Sequence, residues 1–197
     1  MNENILIAML IGYLAGSIPF GLLITKFAGE GDVRAIGSGN IGATNVLRTG
    51  RISLAALTLL ADIFKGLLPV VIVNMLFGGF EFGLVAGFAA LIGHMFSIWL
   101  KFKGGKGVAT FIGAAFGFNW LLGIAFIAVW IAIAFAFRYS SLAALVAVSA
   151  TSLLAVSIAD PLVALVVFMM GTLVLMRHRS NIERLITGEE DKIGQKK

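Results

Sequence analysis

Residues 108–137 read VATFIGAAFGFNWLLGIAFIAVWIAIAFAF, a run of 30 positions without a charged side chain. As a helix this run would extend roughly 45 Å, whereas the hydrocarbon core of a bilayer is about 30 Å thick. It is therefore too long for one membrane crossing and short for two. Gly113 and Gly117, followed by Asn119, predict a break near residues 117–119, which divides the run into two short membrane segments.

The rest of the chain shares this apolar character. Of its 197 residues, 59% are hydrophobic and 13% are charged, and the mean hydropathy is +1.01. Average soluble domains are about 45–50% apolar and about 25% charged, and small ones bury the smallest share of their surface. The composition excludes a soluble globular domain, a disordered chain and a nucleic-acid-binding module. The absence of cysteine excludes disulfides, thiolate metal sites and a cysteine nucleophile.

Further apolar stretches of about the length that a spanning helix needs predict an all-α, polytopic membrane helix bundle of about seven segments. These stretches are residues 4–25, 53–77, 82–100, 142–158 and 162–176. Asp160–Pro161 is a turn signal between the last two, and the flank before the first lacks the basic residues of a cleaved signal. We expect one integral-membrane domain over residues 1–187 and a charged, frayed tail over residues 188–197.

The basic residues predict the orientation. With seven segments, 14 of the 15 lysines and arginines fall on one side, and the exception, Lys65, lies within a span. Cytoplasmic loops of membrane proteins are enriched in basic residues. We therefore predict that the amino terminus lies outside and the carboxyl terminus in the cytoplasm. Five segments, with both hydrophobic pairs merged, would keep the same end orientations and remain the alternative.

Residues 31–48, GDVRAIGSGNIGATNVLR, form a loop whose composition suits phosphate binding. Its glycines let backbone amides approach a ligand closely. It also offers compact donors and two arginines with the forked geometry that phosphate prefers, at Ser38, Asn40, Thr44, Asn45, Arg34 and Arg48. The alternative is a spacer with solvated basic residues, which would not need so many compact donors.

A second polar segment, residues 101–110, reads KFKGGKGVAT and opens directly into an apolar helix. Glycines before a helix amino terminus present backbone N–H groups and the positive end of the helix dipole. Lys106 adds a charge and Thr110 a hydroxyl, although the spacing is not that of a P-loop. The segment therefore predicts either an anion cradle or a basic turn at the lipid headgroups, which spacing alone does not separate.

The third polar cluster, residues 177–184, reads RHRSNIER after the last span. If the helix continues, His178 shares a face with Asn181, and Arg179 shares one with Glu183. His178 is a base, a phosphate donor or an interfacial residue, and a lone histidine at a helix end is more often the last.

Three ionisable residues fall inside the predicted spans, where such groups are functional candidates. We expect Asp62 and Lys65 to pair on one helix face and to have a mainly structural role. We expect His94 to form a hydrogen bond with a neighbouring helix. Nucleophile-elbow and zinc-protease motifs are absent. Ser140 and Ser141 are interpreted as a helix cap rather than as nucleophiles.

These clusters, in this order, resemble the bacterial membrane-integral acyl-phosphate:glycerol-3-phosphate acyltransferases over essentially the whole chain. The matching segments are GSIP at 16–19, residues 32–48, GHMF at 93–96, KGGKGVAT at 103–110 and RHRSNIER at 177–184. The resemblance implies that a long-chain acyl phosphate donates its acyl group to the 1-hydroxyl of glycerol 3-phosphate. The expected products are 1-acylglycerol 3-phosphate (lysophosphatidate) and phosphate, made at the cytoplasmic face of the bacterial inner membrane among its lipids.

The resemblance also implies residue roles. Ser38, His178 and Asn181 are expected to be catalytic, and Glu183 to give structural support. Substrate phosphates are expected to bind at Asn45, Arg48, Gly104, Gly105, Lys106, Gly107 and Thr110. No metal, redox cofactor or nucleic acid is implied. Unrelated acyltransferases use a histidine and an aspartate in the pattern HxxxxD, whereas His178 here precedes a glutamate, so that dyad is not expected. The alternative function is a transporter or flippase of a phosphorylated solute or lipid.

Overall fold

The computed structural model describes residues 3–194, and these residues form helices and loops without a β-strand. The α-helices are α1 (Glu3–Ser17), α2 (Phe20–Phe27), α3 (Ala43–Val46), α4 (Ile52–Phe77), α5 (Phe80–Met95), α6 (Val108–Phe118), α7 (Trp120–Phe137), α8 (Ser140–Ile158), α9 (Pro161–Arg177) and α10 (Arg179–Thr187). Short 3₁₀ turns occur at Val33–Ala35, Leu47–Thr49 and Ile98–Leu100. The all-α membrane fold is therefore confirmed.

Five stretches are long and apolar enough to cross a bilayer: Glu3–Phe27, Ile52–Phe77, Phe80–Leu100, Trp120–Phe137 and Ser140–Ile158. The pair α9 and α10, bent by 57°, makes a sixth if it counts as one span, and α6 is a shorter apolar helix. The chain is thus a multi-pass membrane protein. The seven predicted segments each correspond to helical structure, while the number that cross and the side on which each end lies stay predictions.

Both predicted helix boundaries have a capping side chain. Asn119 is extended, and its side chain accepts a hydrogen bond of 3.0 Å from Leu121 N, so that one helix ends at Phe118 and α7 begins. Asp160 caps α9 in the same way, through Leu162 N at 2.8 Å. These caps satisfy amides that a helix amino terminus leaves without intrahelical partners. The break near residues 117–119 and the turn at Asp160–Pro161 are confirmed.

The expected cap by Ser140 and Ser141 is wrong. The residue at the N-cap of α8 is Tyr139, whose side chain makes no capping bond. The extended residue before the helix is Tyr139, and α8 begins at Ser140. Both serines therefore belong to the first turn of the helix.

The described part of the chain divides between Phe118 and Asn119 into two compact units, each with its own helix packing. In the first, α1 lies along α5, and α4 packs against α5 and α6. Glycines make these contacts close: a side chain at Gly12 or Gly16 would collide with the backbone of α5. Small residues at helix interfaces are typical of membrane bundles. In lipid the hydrophobic effect does not drive helices together, so their association depends on close van der Waals packing, which small residues allow.

In the second unit, α8 packs against both α7 and α9. The segment after α10 returns to this bundle, since Ile193 N donates to the Arg138 carbonyl at 2.6 Å and Arg138 Nη2 donates to the Ile193 carbonyl at 3.0 Å. The expectation of a frayed tail is therefore wrong for residues 188–194, because backbone bonds and ion pairs anchor them. Residues 195–197 lie outside the described part of the chain.

Candidate active site

Asn45 organises the first polar loop from its centre. It is 2% exposed, and its side-chain nitrogen donates to the carbonyls of Val33 (2.8 Å), Asn40 (2.7 Å) and Ile36 (3.2 Å). Its side-chain oxygen accepts from Ser38 N at 3.1 Å. These bonds show that the Asn45 amide holds the loop in shape, while its predicted role in phosphate binding stays a prediction.

Ser38 and Arg48 both lie at the surface of this loop, and the Ser38 hydroxyl donates to Asn45 Oδ1 at 3.4 Å. Both are exposed, and the Arg48 side chain crosses Gly37, where an added Cβ would fall 2.6 Å from Nη1 of Arg48 and 2.5 Å from Oδ1 of Asn45. Gly37 has φ +52°, a conformation that favours glycine. The loop therefore exposes a guanidinium close to Gly37, the residue before Ser38, and a guanidinium suits a phosphate ester.

Arg34, the other arginine of the loop, forms an ion pair within the loop. Its guanidinium pairs with Asp32, with Nε 2.9 Å from Oδ1 and Nη2 2.5 Å from Oδ2. This hydrogen-bonded partner lowers the pKa of the Asp32 carboxyl to about 2, so the pair is charged at neutral pH. The two arginines that the sequence placed together thus differ, and only Arg48 lies over Gly37.

The glycines of the second polar segment pack against the end of α5. Gly104 N donates to the Met95 carbonyl and Gly105 N to the His94 carbonyl, both at 3.1 Å. A Cβ at either glycine would collide with His94. Both amides thus donate to backbone carbonyls within the protein, and the prediction that these glycines bind phosphate stays a prediction. Because glycine has no side chain, both residues can pack closely against the end of α5.

The residues that follow lead into α6. Gly107 has φ +85°, its carbonyl accepts from Phe111 N at 2.8 Å, and α6 begins at Val108. Lys106, two residues before this start, is half-buried. The first amides of an 11-residue helix lack intrahelical partners and carry the positive end of its dipole. The anion-binding potential of the segment therefore lies at Lys106 and Gly107.

Thr110 lies in the first turn of α6 and is fully buried. Its backbone carbonyl touches Gly66 of α4 so closely that a Cβ there would collide with it. Its hydroxyl makes no hydrogen bond within residues 3–194. The predicted phosphate-binding hydroxyl is thus enclosed between two helices rather than displayed on a surface.

His178 stands at the bend between α9 and α10, so the helix does not continue straight through this residue. It is 3% exposed, and its Nδ1 lies 2.7 Å from the Val174 carbonyl. A carbonyl only accepts hydrogen bonds, so Nδ1 carries the proton and Nε2 is the basic nitrogen of the neutral ring. This tautomer suits a general base.

Asn181 is held by a carboxylate that the sequence interpretation missed. Its side-chain nitrogen donates to Glu190 at 2.6 Å, and Arg184 Nε donates to the same carboxylate at 2.7 Å. Burial raises the pKa of Glu190, but hydrogen bonds from Asn181 and Arg184 outweigh it and hold the pKa below its ordinary value. The buried side-chain oxygen of Asn181 makes no hydrogen bond within the described chain, which leaves it to accept one.

Glu183, expected to give structural support, forms an ion pair with Arg179 at 3.1 Å, as the spacing predicted. Both side chains are mostly exposed, at 63% and 88%. Exposed pairs of this kind contribute little stability. Asn181 itself is supported by Glu190, which the bend at His178 and the returning tail bring to it, and the supporting role of Glu183 stays a prediction.

A family profile described as glycerol-3-phosphate acyltransferase matches residues 6–188. The chain belongs to this family. It is 50% identical to the glycerol-3-phosphate acyltransferase of Mesorhizobium japonicum over 100% of both chains. It is 54% identical to that of Caulobacter vibrioides, over 97% of this chain and 88% of the relative.

Two solved structures have the same fold. They are crystal structures of PlsY (YgiH), an integral membrane glycerol 3-phosphate acyltransferase. The glycerol 3-phosphate form aligns with a TM-score of 0.90 and 37% identity, over 96% of both chains. The lysophosphatidic acid form aligns with a TM-score of 0.88 and 36% identity, over 96% of this chain and 95% of the other.

Membership of the glycerol-3-phosphate acyltransferase family makes the chain an acyl-transferring enzyme, and the transporter alternative is dropped. Two features of the candidate site escaped sequence interpretation. His94 was visible as the histidine of GHMF within an apolar span, but its contact with Gly105 was not. Glu190 carried no local signal, because it lies in a segment that composition alone marks as a tail.

Proposed function

We propose that this enzyme transfers a fatty acyl group from an acyl phosphate to the 1-hydroxyl of glycerol 3-phosphate, which forms 1-acylglycerol 3-phosphate and inorganic phosphate. The observation that carries the proposal is the His178 ring, whose Nδ1 lies 2.7 Å from the Val174 carbonyl, so that in the neutral ring Nε2 is the nitrogen that can take a proton. The chain has no cysteine and no serine in a nucleophile-elbow motif. Direct transfer needs neither, because an acyl phosphate already carries a good leaving group.

The reaction begins with attack of the glycerol 3-phosphate hydroxyl on the carbonyl carbon of the acyl phosphate. The hydroxyl proton passes to His178 Nε2 or to a substrate phosphate. The tetrahedral oxyanion then collapses, the bond between the acyl carbon and the bridging oxygen breaks, and phosphate leaves with that oxygen. Binding and orientation supply the remaining rate enhancement.

The phosphates of the two substrates are the targets of the basic groups. Arg48 is proposed to bind one in a bidentate manner, and the Ser38 hydroxyl of the same loop to orient an ester oxygen. Lys106 and the amino terminus of α6 are proposed to bind phosphate through charge and backbone amides. The Asn181 side-chain oxygen is proposed to accept a hydrogen bond from a substrate hydroxyl, since Glu190 fixes the orientation of its amide.

The membrane setting suits an acyl donor with a long apolar tail. The helices expose many large apolar side chains, which suits contact with lipid chains. Under the positive-inside rule the basic loops face the cytoplasm, so we propose a cytoplasmic active site in the bacterial inner membrane.

The test compares two acyl donors. Wild-type protein in lipidic mesophase receives glycerol 3-phosphate with either palmitoyl phosphate or palmitoyl-coenzyme A, and lysophosphatidate is quantified by mass spectrometry. We expect product from palmitoyl phosphate only, and its loss in Lys106→Ala. Product from palmitoyl-coenzyme A alone would overturn the proposed donor.

A further inference from the structure

The break between α1 and α2 is tied to the rest of the first unit by side chains. Pro19 lacks an N–H and ends α1, so carbonyls of the last turn have no helical donors. In a bilayer such groups must find partners inside the protein. The Ser17 carbonyl accepts from Ser97 Oγ at 2.6 Å, and the Ile18 carbonyl accepts from Lys65 Nζ at 2.8 Å.

Lys65 is held in place by charge as well. Its ammonium lies 2.7 Å from the Asp62 carboxylate and 5.7 Å from the centre of the Phe20 ring, the first residue of α2. Both charged side chains are almost completely buried, at 2% and 3% exposure. A buried ammonium is strongly disfavoured unless it is paired. The predicted pairing with Asp62 is confirmed, and the bond to Ile18 gives Lys65 a second task.

Helix α2 packs directly against the loop that carries Ser38 and Arg48. Gly21 of α2 packs against the Ile41 carbonyl so closely that a Cβ would collide with it. Gly66, the residue after Lys65, packs in the same way on the Thr110 carbonyl of α6. One turn of α4 therefore contacts both the junction of α1 and α2, which packs on the first polar loop, and the first turn of α6, which follows the second polar segment.

We propose that Lys65 is a positioning residue, which fixes the junction of α1 and α2 and thereby holds residues 28–51 in the shape that binds glycerol 3-phosphate. This inference rests on the proposed function, because Ser38 and Arg48 are the groups it positions. Lys65 acts through the Ile18 carbonyl and the Phe20 ring, with Asp62 as the counter-charge.

Two double variants isolate the hydrogen bond. Asp62→Leu with Lys65→Met replaces the ion pair by apolar side chains of similar volume, an exchange that proteins often tolerate. Asp62→Leu with Lys65→Gln also removes both charges but keeps an N–H donor for the Ile18 carbonyl. Val73→Ala, a fully buried site near the far end of α4, controls for a general loss of stability.

We expect both double variants to fold. The Met variant should raise the KM for glycerol 3-phosphate about tenfold, as loss of one well-placed hydrogen bond would, with a smaller change in kcat. The Gln variant should recover most of this loss, and Val73→Ala should lower the melting temperature without changing KM. A wild-type KM in the Met variant, equal KM values in both variants, or failure of both to fold would overturn the proposal.

Hydrogen exchange separates this inference from the choice of acyl donor. In the Met variant, amides of residues 20–51 should exchange faster than in the wild-type protein, while those of α8 and α9 should not change. If the wild-type protein rejects palmitoyl phosphate, the proposed donor fails and the exchange result still decides the role of Lys65. Unchanged exchange in residues 20–51 would overturn that role.

Discussion

The Asn181 side-chain nitrogen lies 2.6 Å from the Glu190 carboxylate, nine residues further along the chain. Arg184 donates to the same carboxylate at 2.7 Å. The contact links a residue with a proposed catalytic role to the segment after the last helix. Removal of the carboxylate should therefore affect both the stability of the second unit and the orientation of the Asn181 amide.

Glu190→Gln should lower the melting temperature of the purified protein by roughly 5 °C, since hydrogen bonds to a charged group contribute about 2 kcal/mol. It should also reduce kcat, because Asn181 loses its charged acceptor. The adjacent Glu189 is exposed, so Glu189→Gln is the matched control and should leave both quantities unchanged. Equal melting temperatures for the two variants would contradict the assigned role.

Stability should depend on pH through the same carboxyl. The folded-state pKa of Glu190 is below the ordinary value of 4.5. Its contribution is therefore fully present above pH 4.5 and is lost as the pH falls through the folded-state pKa. Thermal melts in detergent between pH 7 and pH 3 should show a smaller acid-induced decline in Glu190→Gln than in the wild-type protein, and parallel declines would count against this account.

His178→Ala tests the general base. Loss of a positioned base lowers kcat by about 100-fold or more, and we expect a decrease of that size without a large change in the KM for glycerol 3-phosphate. Turnover should be measured on protein whose melting temperature matches the wild type. A decrease of only a few-fold would exclude His178 as the base and assign the proton to a substrate phosphate.

Arg48 and Arg34 give a matched pair within one loop. Arg48→Ala should raise the KM for glycerol 3-phosphate at least about tenfold, because a bidentate contact to phosphate is lost. Arg34→Ala removes an exposed pair with Asp32 and should change KM by less than about twofold. Steady-state kinetics of both variants decide the assignment, and similar KM values would refute it.

Gly105→Ala tests the packing of the glycine segment. The new methyl group would collide with the His94 ring, so we expect poor folding or a loss of most activity. Gly42→Ala is the control, because a Cβ there meets nothing within 4 Å and φ is −80°. Expression level and turnover should fall in the first variant only. Full activity in Gly105→Ala would show that the contact is not required.

The sequence predicted those features that depend on neighbouring residues. Asn119 and Asp160 mark helix starts through their own side chains, and Asp62 and Lys65 pair because three residues separate them on one helix. Such relations follow from helix geometry. The pattern of apolar stretches likewise predicted the helical segments, since the bilayer sets their length.

Long-range partners could not be predicted in this way. The residue types in the first loop suit phosphate, but only the folded loop shows that Asn45 is used by backbone carbonyls. The contact between Asn181 and Glu190 likewise follows from the bend at His178 and the return of the chain. Both sets of contacts depend on where the chain returns, and residue spacing carries no information about that.

The most direct test of the proposed chemistry is a phosphorus NMR time course of the wild-type enzyme with glycerol 3-phosphate and palmitoyl phosphate labelled with ¹⁸O at the bridging oxygen. Attack at the acyl carbon predicts equal amounts of lysophosphatidate and inorganic phosphate, with the label wholly in the phosphate. Inorganic phosphate without the label, or its release without lysophosphatidate, would contradict direct acyl transfer.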